Sequence, residues 1–269
     1  MDSTKNLKKE AKVSIIMNCY NGDHFLREAI NSILSQGHTN WEIIFWDNQS
    51  TDESAKIFHS YSDPRFKYYR SENHTNLSAA RKNALQRCTG EYVAFLDVDD
   101  VWHSNKLAIQ LLELQGSDAD AIYSNYNVKN ENNKEQYIRY KKNELPVGNI
   151  TRHLLKRNFV NLLTLLAKRK SILTLKNIFP SDLAFACDYD FVIRLSHQLK
   201  FKCIKESLGL YRIHSRNNST PKWNHIKELQ YMYKELQKSQ ILQQRSDIIL
   251  FKLLIERTRI KYLKYLILK

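Results

Sequence analysis

The sequence predicts an α/β protein, with a mainly parallel sheet flanked by helices and a helical extension at the C-terminal end. Three observations predict it. Short apolar runs alternate with stretches of helical periodicity through the N-terminal half. Those runs stop in polar or acidic residues, as strands do where an open sheet forms a ligand crevice. From Trp223 onward the chain contains no Gly or Pro and keeps a helical pattern.

Val13-Ser14-Ile15-Ile16-Met17 reads as the first strand, and Asn18 to Asp23 as a turn-rich loop. Phe25, Leu26, Ala29, Ile30, Ile33 and Leu34 recur at helical spacing, and Gly37 lies where that helix should stop. Glu42 to Trp46 reads as the second strand and runs into Asp47 and Asn48. Ser50 and Glu53 have capping-box spacing for a helix through Ala55, Ile57 and Phe58. Phe66 to Tyr69 follows as a strand, and Leu77 to Gln86 as a helix carrying Arg81. Gly90 then precedes the apolar run Tyr92 to Leu96, a buried strand that ends at Asp97, Asp99 and Asp100.

Ala119 to Ser124 reads as a further strand, and the polar stretch Lys129 to Glu144 as a hairpin or mobile loop. Phe159 to Ala167 reads as a buried strand with a solvated basic end at Lys168-Arg169-Lys170. Phe191, Ile193 or Arg194, and Leu195 suggest a helix with Asp188 near its start, where the helix end stabilises a carboxylate. Two helices close the chain. In the last, Ile248, Phe251, Ile255, Tyr262 and Leu266 share a face, with Lys252, Arg257, Arg259, Lys261, Lys264 and Lys269 around it. Such a face packs on the rest of the chain or on a second copy in a homo-oligomer, and its basic flanks also suit peripheral contact with an anionic membrane.

Hydrophobic residues make up 42% of the 269, enough for a core. The start of the chain has no apolar signal region, and no run of about 18 apolar residues occurs. Cys19, Cys88, Cys187 and Cys203 are scattered, as free thiols in a reducing compartment would be. A cytoplasmic protein is therefore expected, peripheral on the membrane face if the last helices bind lipid. The formal net charge of +14 suits polyanions: nucleic acid, anionic membrane or phosphate-bearing substrates. No helix-turn-helix, zinc-finger or RNA-recognition motif is present, so nucleic acid is not the expected partner.

Asp97, Asp99 and Asp100 repel one another, and a hard divalent cation would offset that repulsion. The plainer alternative is a solvated acidic loop, with Ser104 as N-cap of the segment from Asn105. Loops after the first, second and fourth strands open on one edge, which would gather Tyr20, Asp47, Asn48 and the Asp97 cluster.

Several segments in order resemble the family-2 glycosyltransferases, nucleotide-diphospho-sugar transferases of GT-A fold. They are Val13-Ser14-Ile15-Ile16 with Tyr20-Asn21, Ser32-Ile33-Leu34-Ser35-Gln36, Trp41-Glu42-Ile43-Ile44 with Asp47 and Ser50-Thr51-Asp52, Ala79-Ala80-Arg81, and Gly90 to Asp100. The resemblance implies a GT-A domain over 1–221, with a nucleotide-binding half to about 124 and an acceptor half over 125–221, and a basic helical extension over 222–269. It implies an inverting sugar transfer from a nucleotide-diphosphate donor, with uracil as the expected base, to a hydroxyl of a glycan or lipid-linked glycan. Asn18, Tyr20, Asp47, Asn48, Arg81 and Asp97 would bind the nucleotide sugar. Asp99 and His214 would hold a divalent cation, Mn²⁺ or Mg²⁺, and Arg212 or Arg216 would clamp charge. Asp188 would be the general base that takes the acceptor's proton. The chain departs from the family where Asn48 and Gln49 stand for Asp and Gly, at Asn76 and Lys82, and where Cys187 replaces the first acid of a pair. A nucleotidyltransferase on a similar sheet is the competing enzyme class, disfavoured because Asn18 to Asp23 holds a single Gly. A polyanion-binding protein is the non-enzyme alternative.

Overall fold

The computed structural model describes residues 10–215 and 223–267. The elements run β1 (Val13–Cys19), α1 (Asp23–Leu34), β2 (Trp41–Asp47), α2 (Ser54–His59), β3 (Phe66–Arg70), α3 (Leu77–Gln86), β4 (Tyr92–Phe95), β5 (Val101–Trp102), α4 (Lys106–Gln115) and β6 (Ala121–Asn130). They continue as β7 (Gln136–Ile138), α5 (Thr151–Leu154), β8 (Leu166–Lys168), α6 (Arg169–Ile172), α7 (Cys187–Gln198), β9 (Phe201–Ile213), α8 (Trp223–Lys238) and α9 (Arg245–Ile267).

One sheet joins all the strands in the order β3-β2-β1-β4-β8-β6-β9-β5, with β7 hairpinned on β6. β3, β2, β1 and β4 are mutually parallel, and β6 and β9 run the same way across the antiparallel β8. The chain steps outward from β1 to β3 and then returns through α3 to place β4 on the other side of β1. Strand order reverses there, so a crevice opens beyond the C-terminal ends of β1 and β4. Every residue of β1, β2 and β4 is buried, as expected for strands covered on both faces.

The opposite edge is tied by Glu42. Its carboxylate accepts hydrogen bonds from Lys12 Nζ at 2.7 Å, Ser14 Oγ at 2.6 Å and the Thr89 N–H at 2.9 Å. Gly90 belongs to this knot. A Cβ there would lie 2.6 Å from Ser14 N and 2.8 Å from Lys12 O, so the backbone approach admits no side chain.

The Lys129 to Glu144 stretch forms the expected hairpin. Four local readings fail. Ser50 does not cap α2, because its hydroxyl accepts the Asn21 N–H at 3.1 Å; Asp52 Oδ1 accepts the Ser54 N–H instead. Ser104 does not cap α4, since its hydroxyl donates to Asn105 Oδ1 at 3.4 Å. The strand expected over Phe159 to Ala167 shrinks to β8, because a 3-10 turn over Leu162–Thr164 bends the segment into the core. Nor is its basic end simply solvated: Lys168 reaches Asp120 at 3.2 Å, and Arg169 Nε donates to the Gly90 carbonyl at 2.9 Å.

The two C-terminal helices pack on the rest of the chain. α8 buries Ile226, Leu229, Met232 and Leu236. The Phe251 ring lies stacked between Tyr189 and Tyr233, with both centroid distances at 6.3 Å. Ile255 is buried with it, whereas Leu266, expected on the same face, is exposed. No helix of the described residues is long and apolar enough to cross a membrane. All four cysteines are free, as their scatter predicts.

Candidate active site

A cavity of about 910 Å³ occupies the crevice beyond β1 and β4. Asn18, Tyr20, Arg81, Asp97, Asp99, Asp188 and His214 all line it, so seven of the nine predicted site residues come together. Its lining also includes Tyr126 on β6 and, from the second half of the chain, Asn158, Phe185 and Tyr211.

The end of β1 offers recognition groups. Asn18 is buried, and neither its amide nitrogen nor its oxygen has a hydrogen-bond partner among the described residues. A buried amide in that condition is costly unless a ligand or water completes it. Tyr20 is 54% exposed at the cavity, and its ring lies 4.3 Å from that of His74. His74 Nδ1 is in turn within hydrogen-bond distance of the Asn48 carbonyl, at 3.0 Å. His74 escaped the sequence reading because it sits in a polar loop without periodicity.

Asp47 and Asn48 do not line the cavity. Asp47 is buried and accepts hydrogen bonds from Tyr68 Oη at 2.5 Å, Arg70 Nη1 at 3.2 Å and the Ser50 N–H at 2.7 Å. The Asn48 amide donates to the Thr75 carbonyl at 2.7 Å, and its oxygen accepts from the Thr75 N–H at 3.1 Å and hydroxyl at 2.9 Å. Both side chains are occupied in pinning the β2–α2 loop to β3 and the loop after it.

Arg81 organises the floor of the site. Its guanidinium is 1% exposed on α3. Nη2 donates to both oxygens of Asp97, at 3.0 and 3.2 Å, and Nη1 pairs with Asp188. A single buried cation thus spans the carboxylate at the end of β4 and the one at the start of α7. Asp188 stands in the first turn of that helix, where unsatisfied N–H groups favour negative charge. Asp190, two residues on, points inward and pairs with Arg194 at 2.6 Å.

Asp99, in the loop after β4, and His214, just past the end of β9, meet with Nε2 3.0 Å from Oδ2. Burial first, then the neighbouring Asp97 charge, pushes the Asp99 carboxyl up, and His214 opposes the rise. Asp100 is more deeply buried and pushed well above the usual carboxylate range by burial and by Asp99 and Asp97, though it accepts the Arg212 N–H at 2.9 Å. The Arg212 side chain is consumed: it donates to Glu28 at 2.7 Å, Glu131 at 2.8 Å and the Asp99 carbonyl at 2.9 Å, and lies 4.5 Å over the Phe25 ring. It braces the acidic loop and also lines the cavity. Arg216, the other expected clamp, lies outside the described residues.

The Asp99–His214 pair could hold a cation. It combines an oxygen and an imidazole donor at an acidic cluster whose repulsion a cation would relieve. Among the described residues no three His, Cys, Asp or Glu side chains form a metal cage. An ion there would complete its shell with substrate oxygens and water, as Mg²⁺ commonly does.

Residues 14–173 match the profile of Glycosyl transferase family 2. The chain belongs to that family. Its fold is the GT-A fold that the resemblance implied. Among curated relatives, the Escherichia coli UDP-Glc:alpha-D-GlcNAc-diphosphoundecaprenol beta-1,3-glucosyltransferase WfgD is 37% identical over 45% of this chain and 47% of its own length. The chain therefore aligns with about half of that relative. The Erwinia amylovora amylovoran biosynthesis glycosyltransferase AmsB is 28% identical over 81% of this chain and 75% of its own length. Among solved structures, Staphylococcus aureus TarS 1–349 superposes with a TM-score of 0.71 at 17% identity, covering 89% of this chain and 70% of that one. The mannosyltransferase PcManGT from Pyrobaculum calidifontis, solved with GDP-Man and Mn²⁺, gives 0.64 at 17% identity over 86% of this chain and 65% of that one. Asp188 and His214 of this family-2 member lie beyond the stretch matched by the profile.

Proposed function

We propose that the protein moves a sugar from a nucleotide-diphosphate donor to a hydroxyl of a glycan or lipid-linked glycan in one displacement that inverts the anomeric centre. The observation that carries this reading is the single cavity shared by Asp188, Asp97, Asp99 and His214, with Arg81 joining two of them across its floor. Asn18 and the Tyr20–His74 shelf receive the nucleoside, and Asp97 lies beside the ribose. Asp188 accepts the acceptor's proton as its oxygen attacks the sugar, and the nucleotide diphosphate leaves. A cation held by Asp99 and His214, Mn²⁺ or Mg²⁺, would supply positive charge against the departing diphosphate.

Uracil is the base we favour, since WfgD carries UDP-Glc in its name and TarS was solved with UDP and with UDP-GlcNAc. WfgD's named acceptor, a diphosphoundecaprenol-linked sugar, supports the lipid-linked class. The test is a thermal-shift panel of UDP, dTDP, GDP and CDP with Mn²⁺, Mg²⁺ or EDTA. Stabilisation by UDP with metal alone is expected. Equal shifts with all four, or none with any, would overturn the assignment.

A lipid-linked acceptor also gives α9 a role. Ile249, Leu253, Ile260 and Leu263 are all exposed, and their spacing places them on one helical face turned away from Phe251. Lys252 and Arg259 flank the stripe on one side, Arg257 and Lys264 on the other, and Glu256 within it lies 4.0 Å from Arg259. An apolar stripe between basic margins is complementary to an anionic bilayer surface. We propose that this outer face docks there.

A further inference from the structure

We propose that Glu228, on the C-terminal helix α8, is a positioning residue for the transfer reaction: its carboxylate holds the turn that presents Asp188 to the cavity. The inference rests on the reading of Asp188 as base. Glu228 Oε1 accepts the Ala184 N–H at 3.1 Å, and Oε2 accepts the N–H groups of Phe185 at 2.7 Å and Ala186 at 2.8 Å. These donors lead directly into α7, whose N-cap, Ala186, has no side chain able to cap it. The opening N–H groups of a helix need partners from outside its own ladder. Glu228, more than forty positions further along the chain, takes the N–H of the N-cap Ala186 and those of the two residues before it, and so holds the entry to the helix.

The same three bonds shape the cavity. Ala184 and Phe185 belong to its wall, and Asp188 stands two residues past Ala186. Neighbouring contacts hold the segment from both sides. On the α8 side, Tyr231 Oη donates to Asp182 Oδ2 at 2.8 Å. On the α3 side, Ser78 Oγ donates to the Pro180 carbonyl at 2.8 Å. The turn is therefore stretched between the helix that carries Arg81 and the helix that carries Glu228. Removing the carboxylate frees three N–H groups at once and lets the first turn of α7 drift, taking Asp188 out of register with Arg81. Displacing a reacting group by about 1 Å costs on the order of 100-fold in rate. α8 is thus part of the catalytic unit.

The test uses the full chain with UDP-glucose and Mn²⁺, with water as the hydroxyl acceptor, read as UDP release by hydrolysis. Glu228→Ala, Glu228→Gln, Asp188→Asn and the double variant Asp188→Asn/Glu228→Ala are compared, together with amide hydrogen exchange over 184–188. Glu228→Ala should lower kcat about 10- to 100-fold while the donor KM moves less than about 3-fold. Glu228→Gln, which keeps one acceptor oxygen, should recover part of that loss. Exchange at 184–188 should quicken in both variants. On the Asp188→Asn background, Glu228→Ala should cost nothing further. Should Glu228→Ala fail to fold, Glu228→Gln carries the same comparison. Wild-type kcat in the Glu228 variants beside an inactive Asp188→Asn would overturn the positioning role alone, as would equal losses on both backgrounds or unchanged exchange. A fully active Asp188→Asn would remove the base assignment, and the positioning role with it.

Discussion

Arg81 and Asp188 form an ion pair on the floor of the cavity, and the other arm of the same guanidinium holds Asp97. The pair ties the start of α7 to the end of β4, two elements with no sequence proximity. It fixes where the proposed base stands relative to the donor.

Lysine cannot reproduce this fork, because an ammonium is a point charge without two parallel donors. Arg81→Lys should lower kcat/KM by about 100-fold. It should cost about 1–3 kcal/mol of stability, less than a fully buried pair would, because both carboxylates reach solvent. Urea unfolding beside steady-state rates checks both numbers. An unchanged rate with lowered stability would make the residue structural only.

Removing either member of the Asp99–His214 pair should abolish the metal-dependent part of nucleotide binding. Asp99→Ala and His214→Ala should each bind UDP equally with Mn²⁺ and with EDTA, measured by calorimetry. A metal-dependent difference of wild-type size in either variant would take that residue out of the cation site.

The outer face of α9 should bind vesicles rich in phosphatidylglycerol and ignore neutral ones. Leu253→Glu/Ile260→Glu should weaken sedimentation with anionic vesicles at least about 10-fold, since each buried leucine-sized side chain is worth about 1.5–3 kcal/mol. Point changes are preferable to deleting α8 and α9, which would also remove Glu228. Binding unchanged by the double variant would exclude this face.

Glu42 should shape acid denaturation. Burial tends to raise its carboxyl, but hydrogen bonds from Lys12, Ser14 and Thr89 outweigh burial and hold it down at about 2. A depressed folded pKa contributes stability that is present above the ordinary carboxylate range and lost as pH falls through it towards about 2. Glu42→Gln should therefore lose about 1–3 kcal/mol at pH 7 and show a flatter decline between pH 5 and 2. Melting temperatures across that range decide; parallel curves for the two proteins would contradict the linkage.

The sheet was legible because its first, second and fourth strands are buried on both faces and read as near-continuous apolar runs. The acidic cluster was legible because it interrupts such a run. What escaped depends on contacts between distant segments. Nothing around Asn48 signals that its amide turns back onto Thr75, and nothing near Trp223 signals that Glu228 will meet Ala186. That Arg212 meets two carboxylates, Glu28 and Glu131, was not legible because both lie on other elements. Ser50 had capping-box spacing, yet its hydroxyl was claimed by the loop after β1.

The most direct measurement is sugar transfer and UDP affinity in Asp188→Asn, which keeps the shape of the side chain and removes its charge. Transfer should fall by about 100- to 10,000-fold, the range a general base supplies, while UDP binds with metal as in the wild type. Transfer at the wild-type rate would mean that another group takes the acceptor's proton.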